Sequence, residues 1–275
     1  MKTQRFLLAP LGYNHEMPTD FALQAQELLR DTSQFQWYVI PLLAIVTYIY
    51  AIEMHNKCWN AVYAGLAFWG ADSINEILNS VFFHLNGRAP LWATPGDTAY
   101  LILIGLNIEI MFMFAIAGIA WSKMLLPDPR TKILGIPNRW FIALAGSAFC
   151  VLVEILLNSI DALTWDWTWW SATAPWLIYT VGYLWFFMIA FWVHDLDDVR
   201  RQSRIVGAMW GLVTVMVLVF GVWLGWLRPF RQTEPPLSFA RLSLRFHPSD
   251  LTQCPPEQTA GPRNPWRIHP RLSTA

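Results

Sequence analysis

Charge is what this chain has least of. Asp, Glu, Lys and Arg make up 14% of its 275 residues, against ~25% in an ordinary soluble domain. Acidic and basic residues number 19 each, and zero net charge without a basic stripe leaves no electrostatic footprint for nucleic acid, which is excluded as a partner. Cysteine is scarce as well. Cys58, Cys150 and Cys254 stand far apart with no CxxC pair, which argues against a disulfide framework and against thiolate zinc. The chain lacks ExxH, HxxxH and HxxHH patterns, and His55, His84 and His194 fall near the ends of separate apolar stretches. No metal site and no cofactor is therefore expected. "HDLDD" has no second acidic cluster facing it, so it reads as a solvated helix end whose acids pair with Arg200 and Arg201 instead of a magnesium–diphosphate site. The last two apolar stretches carry no lysine, which removes a retinal-type pigment. The opening "MKTQRFLLAPLGY" has too short an apolar core for a signal peptide.

Apolar residues fill the space left by charge, at 55% of the chain. They form six long runs, near 35–53, 60–83, 98–121, 139–160, 175–194 and 205–227. Each meets or approaches the ~20 residues that cross a ~30 Å hydrocarbon core. Without water to satisfy the backbone, runs of this length without strict alternation must be helices. The fold class expected is all-α: a polytopic, multi-pass membrane helix bundle of about six transmembrane helices, with seven as the alternative. Three segments follow: a polar N-terminal part over 1–34, a transmembrane domain over 35–227, and a tail over 228–275. Within the first, "DFALQAQELL" sets Phe21, Ala25, Leu28 and Leu29 on one face of a short amphipathic helix suited to the interface. The tail holds nine of the 18 prolines and no apolar period, and reads as disordered. Lys123, Arg130, Lys132 and Arg139 in one loop, and Arg200, Arg201 and Arg204 in another, place those loops on the cytoplasmic side.

Against this background the acids stand out. "WGADSINEILNS" sets Asp72, Asn75, Glu76 and Asn79 at i, i+3, i+4 and i+7, one face of the second run. The fourth run repeats the pattern with Glu154, Asn158 and Asp161, and the third adds Asn107 and Glu109. "NEILNS" and "EILLNS" echo each other toward the ends of the second and fourth runs. At ~1.5 Å per residue, Glu76 and Glu154 lie ~10 Å inside the boundary, and Asp72 and Glu109 ~16 Å. An acidic side chain at a helix centre costs at least ~2.5 kcal/mol on insertion scales, and three helices accept that cost. Any one of these groups can serve as polar glue between helices. The set as a whole points to a shared cavity in which a neutral acid donates a proton and an ionised neighbour takes one back. Glu76, Asp72, Glu154, Glu109 and Asp161 are the candidate catalytic residues; Asn75, Asn79, Asn107, Asn158 and Trp69 are the candidates for substrate binding.

Buried acids, aromatic walls and little water suit the cyclisation of a polyene. Exclusion of water protects a carbocation from early quenching, and aromatic faces attract it. Trp69, Phe68, Tyr100, Phe112, Phe114, Trp185 and Phe186 are available for such walls, and "DALTWDWTWWSATAPW" forms either an aromatic belt or a lid. The partner implied is a lipophilic isoprenoid small molecule that partitions into the lipid bilayer. Two other classes compete. A proton-coupled transporter of a small hydrophobic or organic substrate would use the same acids as a relay, although spans two to six lack the midplane prolines of broken-helix carriers. A structural subunit would tolerate neutralisation of Glu76, Glu109 and Glu154 together.

The stretch "IYAIEMHNKCWNAVYAGLAFWGADSINEILNSVFF" resembles the second-helix region of the small integral-membrane terpene cyclases of fungal meroterpenoid biosynthesis. That resemblance implies metal-free, acid-initiated cyclisation of a prenylated or epoxyprenylated precursor, with Glu76 at the position of the family's helix-two glutamate. It also implies an endoplasmic reticulum membrane. The family carries a second acid in its last helix, whereas "GAMWGLVTVMVLVFGVWLGWL" contains none. Asp195, Asp161 and Glu109 are the alternatives for that role.

Overall fold

The computed structural model describes residues 17–229; the predicted tail, beyond its first two residues, lies outside them. Small residues decide how the bundle is assembled. Helix α3 (Trp59–Asn86) carries Ala61, Ala64, Gly65, Ala67, Gly70 and Ala71 on buried positions, so neighbouring backbones approach it closely. Around it pack α2 (Val39–His55), α4 (Ile108–Ser122), α6 (Pro175–His194) and α7 (Val199–Trp223), while α5 (Asn138–Asn158) packs mainly on α6. At 28 residues α3 is ~42 Å long, and Asp72 lies at its midpoint. It ends at Gly87, whose left-handed φ of 69° closes the last turn.

The protein is thus a multi-helix, all-α membrane protein. Helices α5, α6 and α7, with 21, 20 and 25 residues, are long and apolar enough to cross a bilayer, and α2 and α4 are shorter apolar helices. The third apolar run is not one helix. Its first part makes a hairpin of β1 (Leu101–Leu103) and β2 (Leu106–Asn107) before α4 begins. Asn107 stops the helix from extending backward by accepting the Ile110 N–H at 2.8 Å as N-cap. A second hairpin, β3 (Lys132–Ile133) with β4 (Ile136–Pro137), joins α4 to α5.

Helix α1 (Asp20–Leu28) is capped by the Thr19 hydroxyl, which accepts from Ala22 N–H at 3.3 Å. Its buried side is Ala22 and Ala25, continued by Leu29, against Phe83, Ala93, Leu101 and Ile104. Phe21 is exposed instead. Ala25, Leu28 and Leu29 of the predicted face pack here and Phe21 does not, so α1 braces the loop end of α3.

Ion pairs gather at the opposite, basic end. Buried Glu53 of α2 meets Lys123, just after α4, at 2.7 Å. Arg139 of α5 grips Asp195, just after α6, through two hydrogen bonds of 2.9 and 2.8 Å, and His194 Nδ1 lies 3.0 Å from the same carboxylate. Partial burial works to raise the Asp195 pKa. The hydrogen bonds from His194 and Arg139, together with their charges, outweigh it and hold the group at about 2. Because the folded value lies below the ~3.9 of an unfolded Asp, this latch stabilises fully above about pH 4 and loses its contribution as pH falls through about 2. Arg139→Gln should lower stability at neutral pH by on the order of 1 kcal/mol after solvent screening. The gap between variant and wild-type melting temperatures in detergent should close between about pH 4 and 2; a gap independent of pH would reject this account.

Candidate functional site

Two helices and two loops bring three carboxyls to one cavity. Asp72 and Glu76 enter from α3, Glu154 enters from α5, and all three line a cavity of about 130 Å3. Asp72 and Glu76 are each 3% exposed. Glu154 is partly exposed as a residue, yet its Oε2 is buried. Asp72 Oδ2, Glu76 Oε2 and Glu154 Oε2 have no hydrogen-bond partner among the described residues. Buried polar atoms are seldom left so, and three on one cavity mark it as the place where a ligand or water would be held.

Each glutamate is held by an aromatic donor, and each donor is held by an amide. Trp92 Nε1 donates to Glu76 Oε1 at 3.0 Å. The loop bearing Trp92 is fixed by Asn79, whose Nδ2 donates to Trp92 O at 2.8 Å and whose Oδ1 accepts from Leu91 N–H at 2.7 Å. On the other side, the Tyr183 hydroxyl donates to Glu154 Oε1 at 2.6 Å. Tyr183 sits in a π-helical stretch of α6, Ile178–Leu184, where the wider turn frees carbonyls. Asn75 Nδ2 takes up two of them, Val181 O at 3.3 Å and Gly182 O at 3.4 Å. Asn75, which also lines the cavity, and Asn79 thus hold backbone on both sides of the acids.

Aromatic rings complete the walls. Phe68, Phe114 and Phe186 line the cavity with Trp92, Trp121 and Trp170. Trp92 and Trp170 stack with centroids 5.8 Å apart. They come from two loops joined by Ala93 N–H to Thr164 O at 3.0 Å and Thr164 N–H to Ala93 O at 2.8 Å. The tryptophan-rich loop is therefore folded over the cavity as a lid, with Trp167 Nε1 donating to Pro90 O at 2.9 Å.

The remaining predicted site residues lie elsewhere. Glu109, in the first turn of α4, accepts from Thr98 Oγ1 at 2.6 Å, from Ala99 N–H at 2.8 Å and from the Tyr38 hydroxyl, pinning the chain before the hairpin. Asp161 is exposed in a turn with φ of 56°. Asn158 donates to Leu163 O at 3.0 Å, and Asn107 is the α4 cap. Trp69 packs edge-on against Trp210 of α7, with centroids 4.8 Å apart. Reading by sequence missed Trp92, Tyr183 and Trp121, whereas Trp170 belongs to the loop offered as a belt or a lid. Trp92 had a local signal, an aromatic between prolines in "APLWATPG"; Tyr183 had none, because a π turn shifts the face of a helix.

Among the described residues no group of three or more His, Cys, Asp or Glu is arranged to hold a metal ion. Comparison with known proteins finds relatives in Archaeoglobus fulgidus. One, described as an uncharacterized protein, is 52% identical over 211 residues, covering 77% of this chain and all of the relative. Another with the same description is 42% identical over 53 residues, 19% of this chain and 95% of the relative. No solved structure matches. Residues 19–222, from the start of α1 almost to the end of α7, match the model of a group described as an uncharacterized membrane protein family, and the chain belongs to that family.

Proposed function

We propose that this protein is an integral-membrane enzyme that isomerises a lipophilic isoprenoid substrate by acid-initiated cyclisation. The observation that carries this reading is the convergence of Asp72, Glu76 and Glu154 on one aromatic-walled cavity, each with an oxygen that no group among the described residues engages. Mutual repulsion disfavours three negative charges in an apolar enclosure, so the three carboxyls act together as a store of protons. Glu76 delivers a proton from Oε2 to an alkene carbon or epoxide oxygen, an internal C–C bond forms, and cationic charge moves along the chain. The rings of Phe68, Phe114 and Phe186 face that charge. Glu154, oriented by Tyr183, or Asp72 removes the final proton, so substrate and product have equal mass. The lid restricts water.

In this reading α2 to α7 make six crossings, with α3 as the polar centre shielded by its neighbours from lipid. The substrate class, a prenylated or epoxyprenylated precursor, rests on the resemblance of residues 49–83 to the fungal terpene cyclases. The endoplasmic reticulum came from that resemblance alone. The relatives are from Archaeoglobus fulgidus, and the family is described as one of membrane proteins.

The test is incubation of membranes carrying the protein with prenylated and epoxyprenylated aromatic compounds, followed by chromatography and mass spectrometry. A new isomer of unchanged mass, absent from control membranes, is expected. Uptake driven by a pH gradient in proteoliposomes, with no isomer formed, would replace the enzyme with a carrier that uses the same acids.

A further inference from the structure

Among the described residues, the α4–α5 side of the cavity is not closed by helix packing. Helix α5 packs on α6, and the approach of α5 to α4 is confined to isolated points. Across this seam the two helices present matching stripes to the cavity: Met113, Ala117 and Trp121 from α4, and Phe149, Val153 and Leu157 from α5. Each stripe runs at i, i+4 and i+8, one helix face. Because the helices are antiparallel, Met113 is level with Leu157, Ala117 with Val153, and Trp121 with Phe149. Trp121 meets Phe149 edge-on, with centroids 5.9 Å apart, which closes the seam toward the basic end. Toward the other end Met113, on the rim, is 47% exposed. The lid seals the loop end through stacked Trp92 and Trp170. An opening rimmed only by apolar side chains, on helices that face hydrocarbon, admits what is dissolved in that hydrocarbon.

We infer that the cavity is loaded sideways from the bilayer through the α4–α5 seam, with Met113 and the facing Leu157 as its outer gate. The occupant of the seam is the apolar tail of a membrane-dissolved lipid whose reactive end reaches the three carboxyls. The inference deepens the proposed reaction by fixing the route and class of its substrate, and rests on that reading only for what happens at the acids. Trp121 sets the inner limit of the seam, and Ala117, small at mid-height, leaves the passage.

The test uses the full chain in liposomes containing a diazirine-bearing polyprenol. Illumination is followed by peptide mass spectrometry to map adducts. In wild type, adducts are expected on Phe149 and Leu157 along the seam and on Glu154 inside, as well as on the outward residues Leu152 and Leu156. Ala117→Phe should lower the inner adducts about tenfold while leaving those on Leu152 and Leu156 unchanged. Val153→Phe, acting from the facing rim, should do the same and guards against a local defect in α4. Adducts confined to Leu152 and Leu156 in wild type, or inner adducts equal in all three proteins, would overturn the portal. Labelling needs no turnover. Inner adducts in both wild type and Glu76→Gln, with no isomer found in any assay, would keep the portal and reject the chemistry instead.

Discussion

Glu76→Gln is expected to lower the rate of isomer formation by ~10²–10⁴, the usual contribution of a positioned general acid. The substitution is nearly isosteric. Its amide oxygen still accepts from Trp92 Nε1, so the local hydrogen bond, 3.0 Å in the native protein, is preserved. What is lost is the proton that the unpartnered Oε2 could carry. The loss should fall on kcat with little change in KM, because the group matters in the transition state and scarcely in binding. Glu154→Gln should show a similar loss, and Tyr183→Phe a smaller one of about tenfold, since Phe removes the 2.6 Å hydrogen bond that orients Glu154 but leaves the carboxyl. Melting temperature in detergent separates chemistry from folding: removing a buried ionisable group from an apolar cavity should leave stability unchanged or raised. Full activity in Glu76→Gln would end the assignment of that acid. Equal losses of activity and of folded protein would make the residue structural.

The largest effect on stability is expected at the crossing of α3 and α4. Gly118 lies so close to α3 that a methyl group there would stand 2.5 Å from Phe68 Cβ, 2.8 Å from Gly65 Cα and 3.1 Å from Ala64 O. None of these is the free end of a flexible side chain, so the two helices must separate. Gly118→Ala should destabilise by ~1–3 kcal/mol, the range for overpacking a core. Gly118→Leu should prevent assembly of the bundle. Gly207→Ala on α7 is the control, because a methyl group there meets nothing within 4 Å. It should be neutral or stabilising by ~0.5–1 kcal/mol, the helix-interior difference between the two residues. Unfolding in SDS–detergent mixtures measures both, and equal stability of Gly118→Ala and wild type would show that α4 shifts freely. Phe68 lines the cavity and stacks on Phe114 of α4 at 5.7 Å. The same change should therefore also disturb the site.

Length, hydropathy and the i, i+4 spacing of polar residues were enough to determine the helical membrane class, the approximate positions of the helices, and the shared face of Asp72 and Glu76. Those features are local: hydrocarbon thickness sets run length, and 3.6 residues per turn set which side chains share a face. Local rules failed wherever an apolar run was buried by something other than a helix. Residues 98–107 are as apolar as a span, yet Asn107 caps α4 and Glu109 reaches back to Thr98 and Ala99, so the run is divided into hairpin and helix. The spacing of Glu154, Asn158 and Asp161 likewise predicted one functional stripe, but the helix ends at Asn158 and Asp161 turns out to solvent. Only the tertiary structure decided that Glu154 meets Asp72 and Glu76 while Glu109 does not, and that Trp92, Trp170 and Tyr183 complete the cavity. The reason is physical. Which faces meet depends on the close approach that Gly65 and Gly118 permit and on the π turn that rotates Tyr183 inward, and both are properties of pairs of segments far apart in the chain.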